Sequence, residues 1–372
     1  MKKICIVTAA RSEYGLLKWL IHDLREQKKH EIQLVVTGGH LLQNQGYTIE
    51  QILQDGNEIT KIVDAYLDYS SPYSIAESMG RMAEGFAKVY KELSPDLLVV
   101  LGDRYELFPI CNTAYVMRIP IAHLAGGDIT EGAIDDGIRN SITMIADYHF
   151  PGTKDAAENI VRMRNSGKNV WAVGEMGLVA FKREELLTRR ELADNLSLDC
   201  DKKWVLMTYH PETKRDHSYN VETVKNCLEL LSLYDNLQIV ATYANADAYG
   251  AEINSIITGF SKKCPDKYRV IPSLGQARYL SYMKQVAMVI GNSSSGIVEA
   301  PFLNIPVINI GDRQKGRYQC GNIIQCSANE NEIRNALAEL ENNKNRKPDD
   351  LDYWGDGYTS KRILEILRKA LR

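Results

Sequence analysis

The stretch of sequence that decides the fold is an apolar run followed by small polar residues: Val286-Ala287-Met288-Val289-Ile290-Gly291-Asn292-Ser293-Ser294-Ser295-Gly296-Ile297-Val298-Glu299-Ala300-Pro301. The apolar run predicts a buried strand, and the residues from about Gly296 onward predict a helix. A turn between a strand and a helix presents unpaired backbone N–H groups and the positive end of the helix dipole, which together favour a bound phosphate. The alternative is a serine-rich loop without a ligand, because small polar residues are common in loops.

Glu299 lies three residues into the predicted helix and extends this interpretation. Its carboxylate could accept hydrogen bonds from a ribose diol held above the same turn, which would make the ligand a nucleotide. The alternative is a solvated glutamate on the helix surface. The stretch therefore predicts phosphate contacts at Ser293, Ser294, Ser295 and Gly296 and a ribose contact at Glu299.

Length and composition indicate two globular domains. The chain has 372 residues, more than the roughly 250–300 at which a single hydrophobic core stops growing. A hydrophobic content of 44% and a charged content of 25% are ordinary for a globular protein. The net charge of −3 gives no electrostatic reason to expect a nucleic acid or an acidic membrane as a partner. We therefore expect neither nucleic acid nor membrane binding.

The cysteines and the apolar runs bear on the cellular compartment. Seven cysteines are scattered without a Cys-x-x-Cys pair, which argues against a zinc cage and against a disulfide framework. No apolar run is long enough for a signal-peptide core or a membrane span. Together these features predict a protein of the reducing cytoplasm.

Short apolar runs alternate with helical patterns in both halves of the chain. The predicted strands are residues 4–8, 32–37, 97–101, 120–123, 204–207, 237–241, 286–290 and 306–310. The predicted helices are residues 14–26, 76–92, 106–117, 221–231, 276–284 and 330–340. Strands that are joined by crossover helices form parallel sheets with right-handed connections. The predicted fold class is therefore α/β, with two Rossmann-like doubly wound domains.

The alternation is interrupted between about residues 171 and 203, where residues 184–192 form a charged helical pattern. We predict an N-terminal domain over residues 1–175, which carries the acid/base carboxylates, and a nucleotide-binding C-terminal domain over residues 176–355. A last helix within residues 356–372 could pack back on the N-terminal domain. Ligands of open parallel sheets bind beyond the carboxyl ends of the strands. Two such domains that face each other would therefore bind their ligand in a cleft between them.

Three polar residues follow the first three predicted strands. Arg11 follows the first strand, where its forked guanidinium either binds a diphosphate or lies on the surface. His40 ends a Thr-Gly-Gly-His turn after the second strand, which either approaches a ligand or is a tight loop. Asp103 follows the third strand, where it is either an acid/base carboxylate tuned by the adjacent arginine or the cap of the next helix.

Further candidates follow the later strands. Asp135 and Arg139 are four residues apart on a predicted helix, so they either pair with each other or both point at the ligand. His210 follows the first strand of the second half, where it either donates a proton to a departing phosphate or is structural. Arg313 is one of three cations in the loop after the last predicted strand, which lies either beside the phosphate turn or in solvent.

In order and spacing, six motifs of the chain resemble those of the hydrolysing nucleotide-sugar 2-epimerases. They are Arg11-Ser12-Glu13-Tyr14-Gly15, Gly102-Asp103-Arg104-Tyr105-Glu106, residues 126–139, His210-Pro211-Glu212-Thr213, residues 291–301 and residues 311–317. The nearest likeness is to the UDP-N-acetylglucosamine 2-epimerases of bacterial sialic acid synthesis and to relatives that act on N,N′-diacetylbacillosamine nucleotides. It extends from residue 1 to about residue 326, and six motifs in order are far more specific than any one of them.

This resemblance implies a glycosyltransferase-B-like fold, a homodimer or homotetramer, and a reaction without a metal or a redox cofactor. A carboxylate removes the C2 proton of the sugar, the nucleoside diphosphate leaves from C1, and water adds to the resulting glycal. With UDP-N-acetylglucosamine the products are UDP and N-acetylmannosamine, a precursor of nonulosonic (sialic) acids. The alternative substrate is the UDP- or GDP-N,N′-diacetylbacillosamine of the legionaminic acid pathway, because the sequence specifies neither the sugar nor the base.

The resemblance also implies roles for individual residues. Asp103 and Asp135 are the acid/base carboxylates, and His210 assists the departure of the phosphate. The order in which the two carboxylates act stays open. The expected substrate contacts are Arg11, His40, Arg139, Ser293, Ser294, Ser295, Gly296, Glu299 and Arg313.

One position departs from the family pattern. Some branches carry a catalytic glutamate two residues after the histidine of a His-x-x-Gly-Gly segment, where this chain has Ala125. Either Asp128, Glu131 or His123 replaces that glutamate, or this branch works with two carboxylates.

Two other classes of protein share some of these features. A glycosyltransferase of the same fold would need an acceptor groove, often with a basic or amphipathic membrane patch, which the sequence does not indicate. An inactive nucleotide-sugar sensor would keep Arg11 and Glu299 but lose the acids, whereas Asp103, Asp135 and His210 are all present. The hydrolysing epimerase is therefore the favoured hypothesis.

Overall fold

The chain folds into two compact units. The computed structural model describes residues 1–131, 133–245, 247–342 and 346–371. The first unit comprises Met1–Ile129, Ile134–Arg183 and Asp352–Arg372, and the second comprises Thr130–Ala133 and Glu184–Leu351. Apart from the short segment at Thr130–Ala133, the chain enters the second unit after Arg183 and returns to the first after Leu351.

The first unit is built on a parallel sheet. Its strands are β1 (Lys2–Thr8), β2 (His30–Thr37), β3 (Lys61–Val63), β4 (Leu97–Leu101), β5 (Ile121–Leu124) and β6 (Tyr148–Phe150). Their spatial order is β3-β2-β1-β4-β5-β6, and all neighbours are parallel. The helices are α1 (Arg11–Glu26), α2 (Ile49–Gln54), α3 (Pro72–Leu93), α4 (Leu107–Val116), α5 (Asp135–Ile145), α6 (Lys154–Arg164) and α7 (Ala180–Arg183), with 3₁₀ turns at Gly38–Leu41, Gln43–Gln45 and Met176–Val179.

The second unit repeats the same strand order. Its strands are β7 (Lys203–Thr208), β8 (Leu237–Thr242), β9 (Tyr268–Ile271), β10 (Met288–Gly291), β11 (Val307–Ile310) and β12 (Ile323–Cys326), in the order β12-β11-β10-β7-β8-β9. Its helices are α8 (Arg189–Leu196), α9 (His217–Ser232), α10 (Gly250–Lys263), α11 (Gly275–Met283), α12 (Ser294–Ile297), α13 (Glu299–Phe302) and α14 (Glu330–Asn342), and α15 (Thr359–Ala370) belongs to the first unit. None of the helices in the described ranges combines the length and apolar character needed to span a membrane.

Both faces of the first sheet are buried, because its strands carry two alternating sets of apolar side chains. On one face, Ile4 and Ile6 of β1 pack in a core with Leu17 of α1. On the other face, Cys5 packs in a separate core with Phe86 of α3. All five side chains are fully buried. Helices therefore cover both faces of the sheet, which is the doubly wound arrangement.

The predicted fold class, α/β with two Rossmann-like doubly wound domains, is confirmed. Every predicted strand is present within two residues of its expected bounds. The strands that the sequence does not indicate are β3, β6, β9 and β12, which are the edges of the two sheets. They contain only three or four residues, and β3 and β9 are partly exposed. A short strand at an edge lacks the continuous apolar run that identifies a central strand.

The charged stretch at residues 184–192 is helical only in its second part. Helix α8 begins at Arg189, after a capping box formed by Thr188 and Glu191. The Glu191 N–H donates to Thr188 Oγ1 over 3.3 Å, and the Thr188 N–H donates to the Glu191 carboxylate over 2.8 Å. The predicted helix start is therefore wrong by about one turn, because these bonds satisfy the first free N–H groups and define where the helix begins.

The last helix, α15, packs on α1. Ile363 and Leu367 are fully buried in the same core as Leu17. The chain reaches this position through Gly355, where an added Cβ would lie 2.9 Å from the Cα of Gly174. Both glycines also have positive φ angles, +103° at Gly355 and +92° at Gly174. Side chains are therefore excluded at the point where the two backbones touch.

We expect Leu367→Ala to lower the free energy of unfolding of the first unit by about 2–5 kcal/mol, because it leaves a cavity between α15 and α1. Urea unfolding followed by tryptophan fluorescence measures this change, since Trp19, Trp171 and Trp354 all lie in the first unit. Lys369→Ala, on the exposed side of the same helix, is the matched control. Equal midpoints for the two variants would contradict a stabilising role for α15.

Candidate active site

Several of the predicted site residues follow the strands at which each sheet reverses its winding direction. In the first unit this switch point lies between β1 and β4, and in the second between β7 and β10. Arg11 and Asp103 follow β1 and β4, while His210 and Ser293 follow β7 and β10. Ligands of doubly wound sheets bind in the crevice at such a switch point. These four residues therefore lie at the switch points of the two sheets.

Asp103 is held by a buried arginine. Arg139 of α5 donates from Nη2 to the Asp103 carboxylate and from Nη1 to the backbone carbonyl of Asp128, which is 2.8 Å away. The Arg139 side chain is 1% exposed, whereas the Asp103 side chain is 25% exposed. The pair therefore presents a partly accessible carboxylate on a buried, fixed cation.

Further carboxylates lie around the same guanidinium. Asp136 approaches Arg139 Nη1 to 3.6 Å, and Asp135 is the half-buried first residue of α5. Burial lowers the pKa of Arg139, but the nearby charges of Asp103, Asp128 and Asp135 outweigh burial and raise that pKa overall. Arg139 is thus a permanent cation that gathers carboxylates from three segments, and it does not serve Asp135 alone.

His123 fixes the backbone next to Asp103. Its Nε2 is 2.8 Å from the carbonyl oxygen of Gly102, the residue before Asp103, and its Nδ1 is 3.3 Å from the Thr143 hydroxyl. Burial lowers the pKa of His123 to about 4, so the ring is neutral. The ring therefore donates from Nε2 to the carbonyl and accepts from the hydroxyl at Nδ1. The ring is fully buried, and both of its nitrogens are engaged within the protein.

Ala125 lies in the turn after β5, and contacts with neighbouring residues fix the backbone of this turn. Ala125 has a φ of +58° and donates its N–H to the carbonyl of Phe150 over 3.0 Å. Gly127 follows with a φ of +83°, and an added Cβ there would lie 2.2 Å from the carbonyl oxygen of Ala156. Asp128 is the next residue, and it is half-buried. The turn therefore has a fixed backbone that leads to a carboxylate at Asp128.

Glu131 has different surroundings. It belongs to the second unit, and its carboxylate lies 3.1 Å from Lys315 Nζ in an exposed ion pair. Its carbonyl accepts a hydrogen bond from Lys214 Nζ over 2.6 Å. Of the three residues named as replacements for the family glutamate, Asp128 is the one whose charge acts on Arg139.

His40, which the sequence predicts as a substrate contact, has hydrogen-bond partners within its own unit. His40 is fully buried, with Nε2 2.9 Å from the Thr8 hydroxyl and Nδ1 2.7 Å from the Thr48 hydroxyl. Burial lowers the pKa of His40 to about 3, so the ring is neutral. We therefore assign His40 to the support of the turn after β2. Arg11 is close enough for its charge to act on His40, and it is half-buried as the first residue of α1.

In the second unit, the fully buried Asn292 joins the loops after three strands. The backbone N–H of His210 donates to Asn292 Oδ1 over 2.7 Å, and Asn292 Nδ2 donates to the His210 carbonyl over 2.8 Å. Arg313 and Gln314 donate to the Asn292 carbonyl over 3.2 and 3.0 Å. Sequence reasoning did not select Asn292, because an amide in a serine-rich turn has no pattern that distinguishes it from a solvated loop residue.

Gly291 allows the loops after β7 and β10 to touch. Its φ is +134°, and an added Cβ would lie 2.0 Å from the carbonyl oxygen of Thr208. Only glycine fits here without moving one of the two loops. The glycine that precedes the serine turn is the signal in the sequence from which the close approach at Asn292 could have been inferred.

The ring of His210 has a defined tautomer. The backbone N–H of Asn245 donates to His210 Nδ1 over 3.1 Å, so Nδ1 is an acceptor and Nε2 carries the hydrogen. The residue is 7% exposed. His210 thus carries its ring hydrogen on Nε2 while its backbone is fixed by Asn292.

The serine turn after β10 differs from the prediction in its helix. Ser293 caps α12, which ends at Ile297, and Glu299 begins the separate one-turn helix α13. The expected longer helix from Gly296 is wrong because Pro301 has no N–H to donate to the carbonyl of Ile297. The dipole contribution to anion binding is correspondingly small, and any phosphate must be held mainly by individual donors.

Individual donors are present in this turn. The Oγ atoms of Ser293 and Ser295 are 3.0 Å apart, and the Tyr279 hydroxyl is 2.5 Å from Ser295 Oγ. Ser294 is exposed. Glu299 is half-buried, and burial raises its pKa to about 7 against the opposing effects of a backbone N–H and Arg317. The turn therefore offers hydroxyl groups next to a carboxyl group that is close to its titration point at neutral pH.

Glu212 is a further residue that sequence reasoning left without a role. Its carboxylate is fully buried and accepts hydrogen bonds from the Asp312 N–H over 3.0 Å and the Tyr219 hydroxyl over 3.2 Å. An added Cβ at Gly311 would lie 1.9 Å from Glu212 Oε1. Glu212 thus fixes the loop that carries Arg313 against the loop that carries His210.

The predicted residues form two sets, one in each unit. The first set is Asp103, Asp135 and Arg139, with Arg11 at the neighbouring strand end, and the second is His210, Ser293, Ser294, Ser295, Gly296, Glu299 and Arg313. Among the residues described, no group of three or more His, Cys, Asp or Glu side chains is arranged to hold a metal ion. The chemistry available in the first set is proton transfer by carboxylates, and that in the second is hydrogen-bond donation to an anion.

The sequence and the fold both match one family of proteins. The family model described as UDP-N-acetylglucosamine 2-epimerase matches residues 22–368. The chain is 37% identical to the GDP/UDP-N,N′-diacetylbacillosamine 2-epimerase (hydrolyzing) of Campylobacter jejuni, with 91% of this chain and 88% of that protein covered. It is 30% identical to the UDP-N,N′-diacetylbacillosamine 2-epimerase (hydrolyzing) of Legionella pneumophila, with 99% and 96% covered.

A solved structure extends the match to three dimensions. The UDP-GlcNAc 2-epimerase of Methanocaldococcus jannaschii, in complex with UDP-GlcNAc and UDP, superposes with a TM-score of 0.82 over 99% of both chains. The sequence identity is 20%, so this similarity concerns the fold. Because the family model covers most of the chain and two relatives are at least 30% identical to it, the chain belongs to the UDP-N-acetylglucosamine 2-epimerase family.

Proposed function

We propose that this protein is a hydrolysing 2-epimerase of a nucleotide-linked 2-acetamido sugar, with UDP- or GDP-N,N′-diacetylbacillosamine as substrate. The observation that carries the proposal is the partly exposed Asp103 carboxylate, which buried Arg139 holds at the switch point of the first sheet. The names of the Campylobacter and Legionella relatives support this sugar. UDP-N-acetylglucosamine, the substrate first expected from the sequence, is the second candidate because it gives the family its name.

The first half-reaction is an elimination. Asp103 or Asp135 takes the proton from C2, the electron pair of that C–H bond forms the C1–C2 double bond, and the bond from C1 to the diphosphate oxygen breaks. The C2 proton is only weakly acidic, so the base must be held close to it while the leaving group is stabilised. Arg139 meets the first requirement, because its hydrogen bond fixes the orientation of Asp103.

The leaving group requires donors, and we assign them to the second set of residues. His210 carries a hydrogen on Nε2 and donates it to the departing phosphate oxygen, as its Nδ1 is occupied by a backbone N–H. The exposed hydroxyl of Ser294 and the guanidinium groups of Arg313 and Arg11 add further donors to the diphosphate. Glu299 accepts hydrogen bonds from the ribose hydroxyls.

The second half-reaction hydrates the glycal. A proton is delivered to C2 from the face opposite to the one it left, and the oxygen of a water molecule adds to C1, so the free 2-epimeric sugar is released. Asp135 and Asp103 exchange the roles of acid and base in this step. We assign Asp128 as the third carboxylate, in place of the glutamate missing at Ala125, because its charge acts on Arg139 while His123 is buried and neutral.

We expect the purified protein to convert UDP-N,N′-diacetylbacillosamine, without any acceptor, into a nucleoside diphosphate and the free 2-epimer. In deuterium oxide the product should carry one deuterium at C2, because the proton that was removed is replaced from solvent. Proton NMR of the sugar, run in parallel with the GDP-linked sugar and UDP-N-acetylglucosamine, measures the product and the preference among substrates.

The same experiment separates the alternatives. A product that keeps its nucleotide would indicate an epimerase that does not hydrolyse its substrate, and turnover only with an added acceptor would indicate a glycosyltransferase. Binding without turnover of any of the three sugars would indicate a sensor. Product without deuterium at C2 would contradict the glycal mechanism even if hydrolysis occurred.

We expect Asp103→Asn to lower kcat by about 10²–10⁴, because the amide cannot take the C2 proton. Binding of UDP, measured by calorimetry, should stay within about threefold of the wild type, since UDP lacks the sugar on which Asp103 acts. Asp136→Asn is the matched control, because Asp136 also lies near Arg139 but has no assigned proton to move. Full turnover in Asp103→Asn would remove the acid/base assignment.

We expect Asp128→Asn to lower kcat by about 10–100-fold, because the backbone carbonyl that binds Arg139 is retained and only the carboxylate is lost. Glu131→Gln is the control, because it removes a carboxylate only three residues away in the sequence. It should change kcat by less than about twofold, since the ion pair of Glu131 is exposed. Steady-state kinetics on the preferred sugar compare the two variants. The reverse ranking would make Glu131 the replacement for the family glutamate.

A further inference from the structure

Glu13, Arg104 and Glu106 form a buried charged cluster beside the switch point of the first sheet. Their exposed fractions are 4%, 8% and 0%. Arg104 binds Glu106 through two hydrogen bonds of 3.1 Å, from Nε to Oε2 and from Nη2 to Oε1. Glu13 Oε2 accepts the backbone N–H of Ala9 over 2.7 Å. None of the three residues has a role in the proposed reaction.

The cluster connects the two turns that carry Arg11 and Asp103. Glu13 lies in the first turn of α1, two residues after Arg11, and it fixes the backbone between β1 and α1. Arg104 follows Asp103 directly in the turn after β4. The turn after β2 closes over both, because an added Cβ at Gly38 would lie 2.7 Å from the Ala9 carbonyl oxygen and 3.4 Å from the Glu106 side chain.

Glu13 and Glu106 differ in how their carboxyl groups are bound. Arg104 gives the two hydrogen bonds described above to Glu106. Glu13 Oε1 is buried and has no hydrogen-bond partner within the described part of the chain. An ionised carboxylate in such a position is strongly disfavoured, so Glu13 is the group that holds the proton.

The electrostatic surroundings agree with this assignment. Burial and the charge of Glu106 raise the pKa of Glu13 to about 8, against the opposing effects of Arg104 and the backbone N–H groups of Ala9 and Ala10. From α4, the buried Cys111 also faces Glu13, and burial raises the pKa of its thiol well above neutrality.

The remaining titratable groups next to this turn do not compete for the proton. His40, which contacts Thr8 at the end of β1, is neutral because burial lowers its pKa to about 3. Arg11 lies on the same helix as Glu13 and is a permanent cation. Tyr14, the next residue of that helix, has a pKa raised by burial and by Asp55. Near neutral pH, Glu13 is therefore the group at this turn whose charge changes.

We propose that Glu13 is a positioning residue that works as a neutral carboxylic acid: without a charge on its side chain, the turn that carries Arg11 can lie next to the Arg104–Glu106 pair beside Asp103. Loss of the proton places a second negative charge next to Glu106 and drives the two turns apart. Activity therefore falls on the alkaline side of neutrality for a reason that lies outside the reacting groups. The effect on activity rests on the proposed function, whereas the protonation of Glu13 does not.

The protonation is tested by thermal unfolding of Glu13→Gln, whose amide has the shape of the neutral acid and cannot ionise. The pKa of Glu13 in the folded state, about 8, lies above the ordinary value of 4.5. The wild type therefore loses stability relative to the variant as pH rises between these values, and the difference is constant above them. We expect the melting temperature of Glu13→Gln minus that of the wild type to grow from pH 5 to pH 8 and then to level off.

Glu26→Gln is the control, because Glu26 is exposed at the end of the same helix. Its melting temperature should follow that of the wild type at every pH. A constant difference between Glu13→Gln and the wild type across the whole range would overturn the proposal, because it would mean that Glu13 is ionised throughout.

The positioning role is tested by the pH dependence of kcat/KM. We expect the wild type to lose up to about tenfold per pH unit above pH 8, whereas Glu13→Gln keeps its activity to higher pH. Glu13→Asp, which is shorter and still ionises, should not extend the range. An alkaline fall that is identical in Glu13→Gln and the wild type would refute the role. Inactivity of the wild type on every nucleotide sugar would refute the proposed function, and the melting profiles would still decide whether Glu13 holds a proton.

Discussion

The site in the first unit depends on one constraint: a guanidinium that is 1% exposed must be surrounded by oxygen acceptors. The two Nη atoms of Arg139 meet this constraint with the carboxylate of Asp103 and the carbonyl of Asp128, which belong to the turns after β4 and β5. If either turn moved alone, one nitrogen of the same buried cation would lose its acceptor. His123 reinforces the constraint as a neutral ring that bonds the Gly102 carbonyl without adding a second positive charge. The rigidity that proton transfer needs is thus a consequence of burying one charge.

In the second unit, several turns are held together by a neutral side chain, that of Asn292. Asn292 is fully buried and uses its amide and its backbone carbonyl to bind His210, Arg313 and Gln314. An amide can donate and accept at once, so Asn292 joins these turns without adding a charge of its own. A carboxylate at position 292 would add a second buried negative charge to that of Glu212 and would repel an anionic ligand. The two sheets have the same strand order, and this difference between their central groups agrees with the division of labour in the proposed reaction.

The sequence predicts the strands that are buried on both faces of a sheet. It does not predict features that depend on contacts with residues distant in the sequence. The central strands are continuous apolar runs, so their bounds were predicted within two residues, whereas the edge strands β3, β6, β9 and β12 lack such runs. His40, His123 and His210 all lie at or just after the ends of strands and look alike in the sequence. Only the structure distinguishes two fully buried neutral rings from one whose Nδ1 accepts a backbone N–H. Asn292 was not predicted for the same reason, because the sequence does not show which loops it joins.

The turn after β5 limits where a replacement for a glutamate at position 125 can lie. Ala125 has a left-handed backbone, which costs any residue with a side chain about 1–2 kcal/mol. The two glycines that follow are held by close contacts, at Gly126 with His123 Nδ1 at 2.9 Å and at Gly127 with Ala156, so neither can carry a functional group. Asp128 is then the first residue beyond the turn that can present a carboxylate while its backbone still binds Arg139. The carboxylate that we propose as the replacement lies three residues after Ala125, on the residue whose backbone carbonyl binds the same buried cation as Asp103.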